Sequence, residues 1–569
     1  MVIIGFDKWL NQNFPEISSK MQRNSVQCST LYIDAFQFYF NALYKSSDSK
    51  EFIGKYLRSI KNVILSINPS DTIFVFLDGP SPAIKFQKLR ERWFSKCHID
   101  DFEIDSSEYV LEEIEDDEES GHEALEGYLK KIINYDNVSA KSIIYSSLTV
   151  PGEAKYKYFD YFREMKSRPD FVPSRKHILL SNTNEMFFLA LLFIDEQFYI
   201  SKSNHIIYDV DQLRNLILYH MATDEPFPGL YKKSCIDEDS LEKRKREYQD
   251  VVSKMSNELK QQIINDVVAL SIVVSSENFQ PFPEIKRMGT SAFTYSKLLD
   301  SYRKLNQPYI NSQIMLNQDD TKEFNPLIVN GVFNLSSFRK IMNLFLGTYF
   351  NKQNHPDKDK QEDLPLNENE NTTEIENNEK VEHSNEVVDD EDDVANYSEQ
   401  AQQLFRVFNF TWQLYTNRCL SWSFQYQFKK SPPLKTALQL MHEEGLDVFD
   451  TEGSKDVTEP LFKNFIIYPV EVVDIPYSLY KLKIPPSPIS RFWPLGVTDP
   501  ADIPILDVNE VKLLYKEAKK EMNGDRPEKN VFGKTYEIAR KQNNQQRKVR
   551  SRQGFNKRSR FPVGKKVKY

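Results

Sequence analysis

Short apolar runs punctuate the first 350 residues, and longer amphipathic segments lie between them. STLYID, TIFVFLD, SIIYSSL and HILLSNTNE are continuous rather than alternating. Runs of that kind read as strands buried on both faces. Between them, EFIGKYLRSIKNVILSI, AIKFQKLRERWF, EALEGYLKKII and AKYKYFDYFREMKS return an apolar residue every three or four positions, the spacing of a helix. Strand followed by helix, repeatedly, predicts an α/β fold with a parallel sheet. Ligands of such sheets sit beyond the carboxyl ends of the strands. Acids stand at those ends here: Asp34, Asp78, Glu153 after a Pro-Gly break, and Glu185 two residues past Thr183. A further segment, QIINDVVALSIVVSSENF, is spaced as a helix that runs into a loop bearing Glu277.

Composition changes the picture in one place. Residues 353–398 are rich in Asn and Glu and nearly free of aromatics, so they cannot bury enough surface to order themselves. The expected organisation is an N-terminal block over 1–350, an acidic linker over 351–398, a second, mainly helical region over 399–525, and a basic tail over 526–569. The net charge of −9 hides a segregation: residues 541–569 hold eleven Lys or Arg and no acid. Four scattered cysteines without a CxxC pair argue against a disulfide framework or a zinc site. No apolar stretch reaches transmembrane length. These features, with no signal peptide in view, lead to the expectation of an intracellular protein, in nucleus or cytoplasm, without membrane attachment.

Carboxylates gathered at several strand ends repel one another unless something holds them. Divalent cations do so, and an oxygen-only set suits magnesium or manganese. Two such ions can clamp the attacking and leaving oxygens of a phosphodiester. Each acid alone has a plainer role, capping the helix or turn that follows it. Within VPGEAKYKYF, Glu153 stands two residues from Lys155, a basic neighbour inside an acidic cluster.

The ordered series of segments resembles the XRN family of 5′-to-3′ exoribonucleases, whose core is PIN/FEN-like. The matching stretches are MVIIGFDKWLNQNFPEI, LYIDAFQFYF, FLDGPSPAIKFQKLRERWF, VPGEAKYKYFDYFREMKSRPDFVPSRKHILL, INDVVALSIVVSSENFQPFP and WQLYTNRCLSWSFQYQFKKSPP. The resemblance implies metal ligands at Asp34, Asp78, Glu153, Glu185 and Glu277, with Asp34, Asp78 and Glu153 as the catalytic centre. It also implies a 5′-phosphate site at Lys85 and Arg92 on one helical face, and base stacking at Phe40. Two departures stand out: Lys155 occupies the position of a family Glu and Thr183 that of a family Asp. Leu89 and Trp93 likewise replace a Gln and an Arg of the phosphate site.

Three functions follow from the resemblance. The first is an RNA-binding protein that recognises 5′ ends of single-stranded RNA with catalysis weakened or lost, needing no cofactor. The second is an active exoribonuclease on 5′-monophosphorylated RNA, dependent on Mg2+ or Mn2+. The third is a non-catalytic scaffold. Lys155 and Thr183 favour the first over the second. Lys85, Arg92 and the basic tail, which can neutralise phosphates, weigh against the third. Trp412 and Trp422 are expected to pack in the core rather than touch RNA.

Overall fold

The computed structural model describes residues 3–20, 27–43, 45–96, 121–135, 138–169, 171–172, 175–202, 206–223, 238–274, 278–288, 290–314, 322–349, 391–442, 457–470, 475–495, 497, 499, 502–522 and 532–540. The four apolar runs are strands β2 (Thr30–Asp34), β3 (Thr72–Phe76), β4 (Ser142–Ser146) and β5 (Lys176–Leu180). They are joined by β1 (Ser18–Lys20), β6 (Gln197–Ser201), β7 (Ile206–Asp209) and, from near the end of the chain, β10 (Tyr536–Ala539). A separate hairpin pairs β8 (Ile328–Val329) with β9 (Val332–Phe333). The large sheet runs β1-β7-β6-β5-β2-β3-β4-β10. Its five central strands, β6 to β4 in that order, are parallel, and the outer pairings are antiparallel.

The continuous apolar runs follow from burial on both faces. Tyr32, Phe74, Phe76, Ile144 and Leu179 point into one core, covered by helices Ala154–Lys166, Glu185–Leu191, Val210–Ala222 and Asn257–Val274. Their neighbours Leu31, Ile33, Ile73, Val75, Ile143 and Ile178 point into a second core under helices Ser49–Ile67 and Gly121–Tyr135. A third core joins helix Phe86–Lys96 to helices Pro460–Ile467, Tyr477–Lys483 and Val508–Lys520. No helix among the described residues is long and apolar enough to cross a membrane.

Two expectations about organisation need correction, and the blocks on either side of the acidic segment share a core. Helix Glu391–Thr416 buries Leu404, Phe405, Phe408 and Trp412 in the first core, against helix Asn257–Val274. That helix also begins inside the expected linker, at Glu391. The region after 526 is not all tail: β10 covers the edge of β4, whose outer N–H and C=O groups would otherwise stay unpaired. Segments 350–390 and 541–569 lie outside the described residues. Trp412 and Trp422 are buried, as expected of packing side chains.

Candidate active site and its buried ammonium

Parallel strands bring the acids together. In adjacent strands β2 and β3, Asp34 pairs in register with Phe76, two residues before Asp78. Phe76 in turn pairs with Ser146 on β4, just upstream of the turn that carries Glu153. Two backbone hydrogen bonds tie the loops after β3 and β4: Gly79 N–H to Gly152 O at 2.9 Å, and Gly152 N–H to Pro80 O at 2.8 Å. Gly152 has a φ of 101°, which explains why the chain breaks at Pro-Gly. At Gly79, an added Cβ would stand 1.8 Å from the Val150 carbonyl oxygen. Gly79→Ala is therefore expected to push the two loops apart and destabilise the fold by about 1–3 kcal/mol, as overpacking does. Urea denaturation measures it; a variant of unchanged stability would show that the loops can yield.

Each acid has a distinct partner. Asp34 accepts from Phe36 N–H and Ser181 Oγ, both at 3.2 Å. Burial, with the Asp78 charge second, pushes its carboxyl up to about 7. Asp78 accepts from Ala154 N–H at 2.6 Å, at the start of helix Ala154–Lys166. Burial, and then Glu153, raises its pKa. Glu153 occupies the N-cap position of that helix without making a side-chain cap bond. Its carboxylate instead meets Lys85 Nζ at 3.0 Å and Lys155 Nζ at 2.6 Å. The same Lys155 Nζ is 2.6 Å from Glu185 Oε2. Glu185 is 1% exposed and its other oxygen accepts from the Tyr156 hydroxyl at 2.6 Å. Thr183 Oγ1 accepts from Glu185 N–H at 3.4 Å and so helps start helix Glu185–Leu191.

Lys155 thus bridges two carboxylates while itself only 9% exposed. This donor set does not fit a pair of divalent ions. Two of its four described acids are already engaged by one ammonium, and Lys85 adds a second. Among the described residues, no three His, Cys, Asp or Glu side chains stand together so as to hold a metal ion. Glu277 lies outside the described residues, and so does the side chain of Phe40.

The two cations expected to form a phosphate site differ in exposure. Lys85 ends the 3-10 turn Ala83–Lys85, is 5% exposed and faces Glu153. Arg92 lies on the exposed side of the α-helix that follows and lines a cavity of about 370 Å3. Trp93 packs edge-on against Tyr468, their ring centres 4.7 Å apart.

Sequence reasoning missed three members of the cluster. Tyr156 and Tyr415 both hydrogen-bond Glu185. Lys157 donates to the carbonyls of Ser147 and Val150 at 3.0 and 3.1 Å, and burial holds its ammonium down to about 7. The pattern AKYK contained a signal: two lysines two apart on a helix cannot both follow one solvated stripe.

The model of the family described as XRN 5'-3' exonuclease N-terminus matches residues 1–124 and 119–204. The 5'-3' exoribonuclease 1 of Schizosaccharomyces pombe is 22% identical over 220 residues, 35% of this chain and 17% of that protein. The human 5'-3' exoribonuclease 1 is 22% identical over 218 residues, 33% of this chain and 12% of that protein. The match therefore spans less than a fifth of either relative's length. The solved catalytic core of Rad2 in complex with DNA substrate aligns with 61% of this chain and 96% of its own, at 12% identity and a TM-score of 0.24.

Proposed function

We propose that this chain, whose residues 1–204 match the model of XRN 5'-3' exonuclease N-termini, binds single-stranded RNA near its 5′ end without hydrolysing it by the metal-dependent route. One observation carries the reading. Lys155 Nζ is 2.6 Å from both Glu153 Oε2 and Glu185 Oε2. Metal-assisted hydrolysis needs those oxygens free for cations that activate water and stabilise the leaving oxygen. An ammonium offers charge but no open coordination position, so it satisfies the acids and activates nothing.

The test is an assay with 5′-monophosphorylated single-stranded RNA and magnesium or manganese. The expected outcome is retention of the RNA on the protein, weakening as salt rises, with no release of mononucleotides above the blank. Mg2+-dependent release that Asp78→Ala abolishes would overturn the proposal.

A further inference from the structure

The central strands begin at the end of the sheet opposite the acids, and there one run of backbone hydrogen bonds stitches them together. Arg540 N–H donates to Lys141 O at 3.0 Å, Lys141 N–H to Asp71 O at 2.7 Å, Asp71 N–H to Ser29 O at 2.9 Å and Ser29 N–H to Lys176 O at 2.9 Å. The run crosses β10, β4, β3, β2 and β5 in turn, so it sets its residues in a row about 19 Å long at the usual strand spacing. Cations dominate that row. Lys141 Nζ and an Arg175 guanidinium nitrogen share one carboxylate, Asp71, at 2.8 and 2.7 Å. The Lys141 side chain is still 78% exposed, and Lys176 and Arg540 are exposed too. Arg540 also donates to Ile133 O at 3.0 Å and to Val138 O, around the end of helix Gly121–Tyr135, which anchors it at the sheet edge. The row stops against acids at its other end: Lys176 pairs in register with Gln197, and just before Gln197 stand Asp195 and Glu196, which meet Lys166. From Arg540 the chain passes into residues 541–569, with eleven Lys or Arg and no acid.

We infer that this row is a second contact for the RNA backbone, at the end of the sheet away from the acid cluster. The inference rests on the RNA-binding reading above and extends it to nucleotides further along the strand. Each central strand from β2 to β5 has five residues, so roughly 17 Å of strand lies between the row and the acids. An RNA whose 5′ end lies near the acids meets the row only with a later stretch. Phosphates ask for charge and carry no demand for an apolar surface. A protein partner is held by an apolar centre depleted of charge, and this row sets charged side chains at its middle. Once Asp71 is counted, Lys141 and Arg175 keep one positive charge between them, and Lys176 stands beside Arg175.

The full-length protein is titrated with 3′-fluorescein-labelled, 5′-monophosphorylated poly-uridine RNA over a range of salt, and separately with poly-glutamate. Lys141→Gln with Lys176→Gln is expected to lower the slope of log affinity against log salt by about 1.4, two phosphate contacts on a single strand. Arg175 stays on Asp71 in that variant, so the carboxylate keeps a partner. Lys254→Gln with Lys516→Gln removes the same charge from exposed lysines outside the row and is expected to leave the slope as it is. Photo-crosslinking with 4-thiouridine RNA is expected to mark the peptides that hold Lys141 and Lys176. An unchanged slope in the row variant, with crosslinks elsewhere, overturns the inference and leaves the RNA-binding reading standing. Equal falls in the two double variants overturn it as well, since net charge alone then sets the slope. Poly-glutamate binding that the row variant weakens, with poly-uridine unaffected, overturns it in favour of an acidic protein partner. No binding of poly-uridine by the unaltered protein overturns both readings.

Discussion

Lys155→Met is expected to destabilise the protein by about 3–5 kcal/mol in buffer containing a chelator, the usual penalty for removing one partner of a buried ion pair. The loss should be partly reversible by manganese. Methionine keeps most of the lysine's volume, so the effect reads charge rather than packing. Without the ammonium, Glu153 and Glu185 lose the cation they share, while Lys85 stays on Glu153 and Lys157 stays near Asp78. The site then resembles a set of oxygen ligands without its cation, and Mn2+ supplies one. A cation at a hundred times its Kd contributes about 2.7 kcal/mol, a rise in Tm that is easily read. The wild-type protein should show no such rise, since Lys155 already occupies the acids. Equal stabilisation of both proteins by Mn2+ would mean that the ammonium does not exclude cations. An unperturbed Lys155→Met variant would mean that the pair carries no stability.

Much of this arrangement was legible along the chain. Four of the five central strands were readable because burial on both faces leaves continuous apolar runs, and these runs alternate between two cores in the fold. That an acid closes each strand was equally visible, and Lys155 announced itself by charge. The outer strands were not. Ser18–Lys20 is exposed along most of its length and Tyr536–Ala539 is mixed, so neither shows a strand period. Their pairing depends on edges that only the folded sheet creates. That Lys85 faces Glu153 was not legible either, because the two residues are remote along the chain and meet only in the folded protein. The cavity beside Arg92 escaped for another reason. It assembles residues from positions 4 to 429, and no local pattern encodes such a meeting.

Asp266→Asn is expected to stabilise the protein above neutral pH and to change little at pH 5. Asp266 sits within helix Asn257–Val274 and is fully buried. Its carboxyl accepts from Ile328 N–H and Gln262 Nε2, both at 2.9 Å, and from the Tyr302 hydroxyl at 2.8 Å. Burial outweighs these bonds and pushes the group up to about 7. Its pKa in the unfolded chain is about 3.9. Between those values the folded state holds a proton that the unfolded state has released. The stability from this group is therefore complete below pH ~4 and is lost as pH rises through 7. From pH 5 to pH 8 the loss amounts to about 2–3 kcal/mol. An asparagine mimics the protonated acid: its oxygen accepts from Ile328 and Gln262, and its amide donates to Tyr302, whose hydroxyl can accept as well as donate. Asp34 is also raised to about 7 and adds a slope of the same sign in both proteins. The difference between the two urea-denaturation curves at each pH therefore isolates Asp266. It should open between pH 5 and pH 8; a constant offset would show that Asp266 keeps its charge throughout. The consequence reaches the cavity that Arg92 lines, because this helix leads toward Asn278 and Phe279 in its wall. A carboxylate ionised in the middle of the core loosens the element that delivers them.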